Sequence, residues 1–140
     1  MHIPSELQHF PKPSLIIISD HYRARFVKVE GENLEELDEV AEPRAVLADT
    51  ADALIPLEDS MMDEDRLKHF VKKVAVRLDA LVAEQNVSIV HLVIPADMDR
   101  ALQQQLGQAT LACLGKGKVL HAELMKEPTV SVLERLVALF

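Results

Sequence analysis

The segment from Leu15 to Val29, LIIISDHYRARFVKV, decides the fold. It opens with a continuous apolar run rich in β-branched side chains, which is typical of a strand buried on both faces. After a short polar interval, Arg23 begins a second strand-like segment that has apolar bulk at Phe26 and Val27. Two strands separated by so few residues are expected to pair as an antiparallel hairpin.

Beyond this hairpin, the sequence alternates between strand-like and helix-like segments. Residues 30–33 are typical of a turn, and 34–40 returns as a third strand, although its apolar positions lie three apart and leave a helix open. Residues 41–60 have little periodicity and contain two prolines, which indicates a long loop. The later segments are a helix over 60–86, a strand over 88–94, a helix over 97–115 that Gly107 can end early, a strand over 119–125 and a helix over 129–140.

The order of these segments, β-β-β-α-β-α-β-α, predicts the fold class. Hairpins join antiparallel strands, whereas a strand reached through a helix returns parallel. We therefore expect a single α/β domain over 14–140, with a five-stranded mixed sheet and helices on both faces. Residues 1–13 contain three prolines and are expected to form an extended N-terminal arm.

Negative charge is concentrated in the first half of the chain. The net charge is −8 over 140 residues, and residues 1–62 carry 13 acidic side chains against 5 basic ones. Such a surface repels phosphate, so any nucleic-acid contact is expected from local basic groups. The acidic loop over 41–62 is either a surface for a protein partner or a solvated loop that keeps the chain soluble.

Cysteine content and hydropathy indicate a compartment. Cys113 is the single cysteine, which excludes an internal disulfide and suits a reducing environment. The longest apolar run, Leu15 to Ile18, is too short to cross a bilayer, and the first residues lack the pattern of a secretory signal. We therefore expect a cytoplasmic protein with no membrane contact.

Two aspartates form the first candidate site. Asp20 ends the first strand and Asp97 follows the fourth, so both carboxylates are expected at one edge of the sheet if these strands are neighbours. Clustered carboxylates can hold Mg²⁺ for phosphodiester cleavage, which predicts a metal-dependent nuclease. The alternative is that Asp20 orders a turn and Asp97 caps a helix. Apart from Mg²⁺ in the nuclease hypothesis, we expect no cofactor.

Two strand histidines form the second candidate site. Alternation along the last strand puts His121 and Glu123 on one face, with His91 of the neighbouring strand beside them. Two histidines and a carboxylate can bind zinc. The alternative is a pair of histidines with ordinary hydrogen bonds, because the spacing matches no tight ligand motif.

Basic side chains form the third candidate site. The long helix carries several of them, spread across its polar side: Lys68, His69, Lys72, Lys73 and Arg77. They predict either an RNA or phosphate contact or a solvated helix face. Arg23 and Arg25 alternate on one strand and therefore point to the same face. They predict either a specific contact or a salt bridge to the acidic loop.

The segment that follows the first predicted strand resembles a signature of a known family. The segment Ser19-Asp-His-Tyr-Arg-Ala-Arg-Phe26 looks like the signature of the bacterial host-attachment proteins, in which Ala or Ser, Asp, Gly and a variable residue precede Arg-Ala-Arg-Phe. The order of the later segments fits as well, so the resemblance covers about residues 14–139. The family is grouped with the middle domain of the archaeal and eukaryotic peptide release factor. The resemblance implies a ribonuclease-H-like mixed sheet of order 3-2-1-4-5 and a place on the ribosome.

The chain departs from the family pattern at two points. His21 stands where the family usually has Gly. The catalytic Gly-Gly-Gln loop of the release factor would fall in 41–62, which contains neither glycine nor glutamine, so peptide release by that chemistry is not expected. The leading hypothesis is a non-catalytic binding module of this family with the ribosome, RNA or another translation component as its partner. The alternatives are the nuclease that uses Asp20 and Asp97, and an indirect regulator of adhesion to host cells.

Overall fold

The computed structural model describes residues 12–31, 33–41 and 59–139. These residues form five strands and four helices. The strands are β1 (Ser14–Ser19), β2 (Arg23–Glu30), β3 (Asn33–Ala41), β4 (Ile89–Ile94) and β5 (Val119–His121). The helices are α1 (Asp59–Glu84), α2 (Ala96–Gln105), α3 (Gln108–Gly115) and α4 (Thr129–Val137). Most of the predicted N-terminal arm and of the predicted acidic loop lies outside the described residues.

The sheet is mixed, and its strand order is β3-β2-β1-β4-β5. Strand β2 pairs antiparallel with both β1 and β3, as expected of short hairpins. Strand β4 pairs parallel with both β1 and β5, because helices make the connections on that side. The predicted fold class and the order implied by the resemblance are therefore confirmed.

The apolar core has two parts, one on each face of the sheet. Strand β1 is buried along its whole length, as its continuous apolar run predicts. Helices α1, α2 and α3 pack on one face, where the largest side chains are Phe26 and Phe70. Helix α4 packs on the other face through Val132, Leu133 and Leu136. The prediction of helices on both faces is confirmed.

A β-bulge in the β2–β3 pairing explains the ambiguous spacing of apolar residues over 34–40. Phe26 pairs with Asp38, but Val27 pairs with Glu36, so one residue of β3 is extra. Because of the extra residue, side chains of β3 on the two sides of the bulge alternate out of phase and point to opposite faces of the sheet. Leu34 therefore joins the core beside α4, whereas Val40 packs on the side of α1. Apolar positions three apart are thus compatible with a bulged strand.

Of three predicted boundaries, the end of β5 is wrong, whereas the break at Gly107 and the exit of the long helix at Asn86 are confirmed. Strand β5 ends at His121, not at 125. The predicted helix over 97–115 is two helices, because Leu106 and Gly107 are extended and Asp79 accepts the backbone N–H of Gly107. The long helix ends at Glu84, just before Asn86 takes a left-handed φ of 54°. No helix within the described ranges has the length and apolar character needed to cross a membrane.

Candidate functional site

The carboxyl ends of β1, β4 and β5 meet at one edge of the sheet, because these strands are parallel. His21, directly after β1, lies against the first turn of α2, where its Nε2 is 2.9 Å from Asp97 Oδ2. The Nδ1 of the same ring lies 3.6 Å from Glu123 Oε1. His21 therefore connects the segment after β1, in which it lies, with the segments after β4 and β5.

The two aspartates of the predicted magnesium site have separate partners. Asp20 Oδ1 accepts the backbone N–H groups of Tyr22 and Arg23, each at 2.7 Å, which is the turn considered as its alternative role. Asp97 lies in the first turn of α2 and faces His21. The prediction that Asp97 caps this helix is wrong, because α2 begins at Ala96 and Pro95 occupies the cap position.

The three residues of the predicted zinc site also have different partners. His91 is only 3% exposed, and its Nδ1 accepts the backbone N–H of Lys118 at 3.0 Å. Burial, with a smaller contribution from the Lys118 charge, lowers the pKa of His91 to about 4. His121 Nε2 lies 2.8 Å from Asp99 Oδ2, and Glu123 faces His21.

The predicted zinc ligands are therefore not assembled into a metal centre. Within the part of the chain that the structure describes, no group of three or more His, Cys, Asp or Glu side chains is arranged to hold a metal ion. Strand alternation alone predicts His91 beside His121. It does not predict that His91 is held in the interior by the chain before β5.

An open cleft of about 410 Å³ adjoins this edge of the sheet, and its lining includes Glu123, which contacts His21. Its charged lining is mixed in sign, with Asp20, Glu123 and Glu127 against Lys126 and Arg135. With three acidic and two basic side chains, neither sign of charge dominates this cleft. The sequence offered no reason to bring Arg135 of α4 together with Asp20.

The two arginines of β2 differ sharply in environment. Arg23 is exposed, but the Arg25 side chain is only 13% exposed and is tied at three points. Its Nε donates to Glu36 Oε1 at 2.9 Å, and its terminal nitrogens donate to the Met125 carbonyl and to Thr129 Oγ1. The expected salt bridge exists, but its acidic partner belongs to β3 and not to the acidic loop. Arg25 therefore holds the start of α4 against the sheet.

Removing the Arg25 guanidinium should destabilise the domain. We expect Arg25→Gln to lower the free energy of unfolding by about 1 to 3 kcal/mol, because Glu36, Met125 and Thr129 lose a largely buried donor. Urea denaturation followed by circular dichroism measures this loss. Arg23→Gln, two residues away on the same face of β2, is the matched control and should change stability by less than about 0.5 kcal/mol. Equal losses in the two variants would contradict a structural role specific to Arg25.

The basic residues of α1 line a groove between this helix and β3, here called the α1–β3 groove. Its volume is about 540 Å³. Its lining residues are Val40 of β3 and, from α1, His69, Lys72, Lys73, Val76, Arg77 and Ala80. The helical positions recur at intervals of three, one, three, one and three, which is a single continuous stripe on an α-helix.

This arrangement corrects the expectation that the basic residues of α1 are spread over its polar side. Four of the five share the groove, and Lys68 is not among its lining residues. Arg77 pairs with Asp38 of β3 and lies 3.8 Å from Glu84. Asp38 can reach Arg77 because the bulge turns this part of β3 toward α1.

Sequence reasoning missed two features of these sites. Val76 is 63% exposed although it is apolar, and it lies in the middle of the basic stripe. An apolar residue that interrupts an otherwise polar helix face is the signal that could have marked it. His21 was noted only as a departure from Gly, and its pairing with Asp97 depends on β1 and β4 being neighbours.

Comparison with known proteins shows a likeness of fold to a solved structure. No protein-family model and no curated protein sequence matches the chain. Among solved structures, the chain is similar to the crystal structure of an archaeal translation termination factor, with a TM-score of 0.56 and 18% sequence identity. The match covers 88% of this chain and 37% of that chain. The fold is therefore similar to that of a part of this protein, and the similar region spans little more than a third of that protein's length.

Proposed function

We propose that this protein is a non-catalytic binding module that associates with the ribosome or another translation component. The observation that carries the proposal is the α1–β3 groove, which gathers Lys72, Lys73, Arg77 and His69 on one exposed face of an otherwise acidic protein. The likeness of fold to part of a translation termination factor supports the choice of partner. A binding module of this kind needs no cofactor.

Charge favours the α1–β3 groove over the carboxyl edge of the sheet as the binding surface. At the edge, the Asp20 carboxylate accepts hydrogen bonds from its own turn, and the adjoining cleft is lined by three acidic and two basic side chains. In the groove, Lys72 and Lys73 form no ion pair with any residue that the structure describes, so their charge is available to a partner. The nuclease hypothesis has no comparable support, since Asp20 and Asp97 face different partners.

Attachment to host cells enters this proposal only through the motif at residues 19–26. If the chain affects adhesion, a translation-linked module would do so indirectly, through the amount or timing of other proteins made. This gives the regulator hypothesis a route that requires no exposure at the cell surface.

The proposal predicts co-sedimentation with ribosomes. The tagged full chain is centrifuged through a sucrose gradient in lysate of its source cells, at low and at moderate salt. We expect the wild-type chain to travel with a ribosomal fraction. The Lys72→Glu/Lys73→Glu double variant should lose at least about tenfold of the bound fraction, because the reversed charges face the partner across the groove.

The control is the Lys116→Glu/Lys126→Glu double variant, which makes the same change in net charge at two exposed lysines outside the groove. It should keep most of the bound fraction, and circular dichroism should show that both variants fold. A wild-type chain that stays at the top of the gradient in growing and in starved cells would overturn the proposal. Equal loss in the two double variants would show that net charge, not the groove, governs the association.

A further inference from the structure

We infer that the partner of the α1–β3 groove is an acidic amphipathic helix of another protein, and not the RNA backbone. The inference rests on the proposed function, because it assigns the chemistry of the group that the groove recognises there. It follows from three properties of the groove: its apolar lining residues, here called the floor; its basic lining residues, here called the rim; and a length that matches a short helix.

The floor of the groove is apolar. Val40, Val76 and Ala80 supply it, and Val76 leaves 63% of its surface exposed. An apolar side chain in the middle of a concave surface gains free energy only when apolar atoms cover it. Ribose and phosphate offer little such surface, whereas the leucines of an amphipathic helix do.

The rim of the groove is basic. Lys72 and Lys73 lie on it, with His69 toward the start of the helix and Arg77 toward its end. Arg77 is partly neutralised by Asp38 and Glu84, so the attraction for an anion is strongest beside the two lysines. Carboxylates that flank the apolar face of a partner helix would meet these lysines, which gives charge complementarity to the whole stripe.

RNA fits the same surface less well. None of the lining residues that the structure describes is Phe, Tyr or Trp, so the groove has no ring on which a base can stack. Phosphate binding would use the rim alone and leave Val76 uncovered.

The dimensions favour a helix. The stripe from His69 to Ala80 spans about 16 Å along α1, which is the length of about three helical turns. A partner helix lying beside α1 can therefore place apolar residues at i, i+3, i+4 and i+7 on the floor, in the manner of helix-in-groove recognition.

The test measures binding of three labelled probes to the full chain by fluorescence anisotropy. The first is a peptide of about twelve residues with Leu at i, i+3, i+4 and i+7 and Glu at the other positions. The second is a scrambled peptide of the same composition, and the third is an oligouridylate of similar net charge. We expect the patterned peptide to bind at least about tenfold more tightly than either of the other two.

Two variants distinguish the contribution of the apolar floor to binding from that of the basic rim. Val76→Gln removes the exposed apolar surface without changing charge, and should weaken the patterned peptide about tenfold while leaving oligouridylate unchanged. Lys72→Glu/Lys73→Glu should weaken both peptides and the RNA, and Lys116→Glu/Lys126→Glu should weaken none of them. Sedimentation velocity of the free chain tests whether a second copy occupies the groove.

Four outcomes would overturn the inference: tighter binding of oligouridylate than of the patterned peptide, equal binding of patterned and scrambled peptides, an unchanged affinity in Val76→Gln, or groove-dependent self-association. If ribosome co-sedimentation still depends on Lys72 and Lys73 in those cases, the proposed function stands and only the assigned ligand is wrong. Peptide binding without any ribosomal association would instead keep the ligand chemistry and remove the translation partner.

Discussion

Gly117→Ala should destabilise this domain by about 3 kcal/mol or more, and Gly115→Ala, two residues earlier, should be nearly neutral. A Cβ on Gly117 would lie 1.9 Å from the Val90 carbonyl oxygen and 3.1 Å from His91 Nδ1. Both atoms belong to the buried strand β4, whose backbone is fixed by pairing with β1 on one side and β5 on the other. The clash therefore cannot be relieved by turning a flexible side chain.

Gly115 provides a matched control for this substitution. It is the last residue of α3, and a Cβ there would meet no atom within 4 Å. Alanine is at least as favourable as glycine in a helix, so the free energy of unfolding should change by no more than about 1 kcal/mol. Urea denaturation of the two variants measures the contrast. A loss of similar size in both variants would contradict the clash with β4 as the cause of the effect at Gly117.

The second large effect is a pH dependence of stability that originates at His91. Its pKa is lowered from 6.5 to about 4 in the folded protein, mainly because the ring is buried. The unfolded chain therefore binds more protons than the folded chain between these two values, and the free energy of unfolding falls as the pH is lowered through that range. The contribution of His91 is fully present above pH 6.5. Its loss near pH 4 amounts to about 3 kcal/mol.

His91→Asn isolates this contribution. The Asn Oδ1 atom can take the place of Nδ1 and accept the Lys118 backbone N–H, but the amide does not titrate. We expect unfolding measured at a series of pH values from 7 to 4 to show a shallower decline in the variant than in the wild type. His121→Asn changes an exposed histidine of the neighbouring strand and should keep the wild-type decline. Parallel curves for His91→Asn and the wild type would refute the assignment.

Much of the fold can be predicted from local pattern, because the central elements are defined by their own composition. The β-branched run of β1 and the helical repeat of α1 each indicate one type of element. Over 34–40 the predicted strand is confirmed, but the pattern leaves a helix open, because the spacing of Leu34, Leu37 and Val40 reflects a bulge that exists only once β3 pairs with β2. Strand β5 is short for a similar reason, since its length is set by contact with β4 and not by its own propensity.

The candidate sites are harder to predict, because each depends on contacts between distant segments. The pairing of His21 with Asp97 requires β1 and β4 to be neighbours, and burial of Arg25 requires α4 to pack beside β2. Which residues line the α1–β3 groove depends on the side of β3 that faces α1, and the bulge determines that side. The candidate residues can be named from the sequence, but the side chains that each one contacts could be found only from the structure.

The central position of β1 also has a consequence for the order of folding. Its antiparallel pairing with β2 joins residues close in sequence, whereas its parallel pairing with β4 must close the chain from Ser19 to Ile89. Loop-closure entropy makes the second pairing the slower one. Until β4 pairs with β1, one edge of a strand with four consecutive apolar residues, Leu15 to Ile18, remains open to other chains. The domain therefore depends on rapid docking of α1 and β4 to avoid aggregation while it folds.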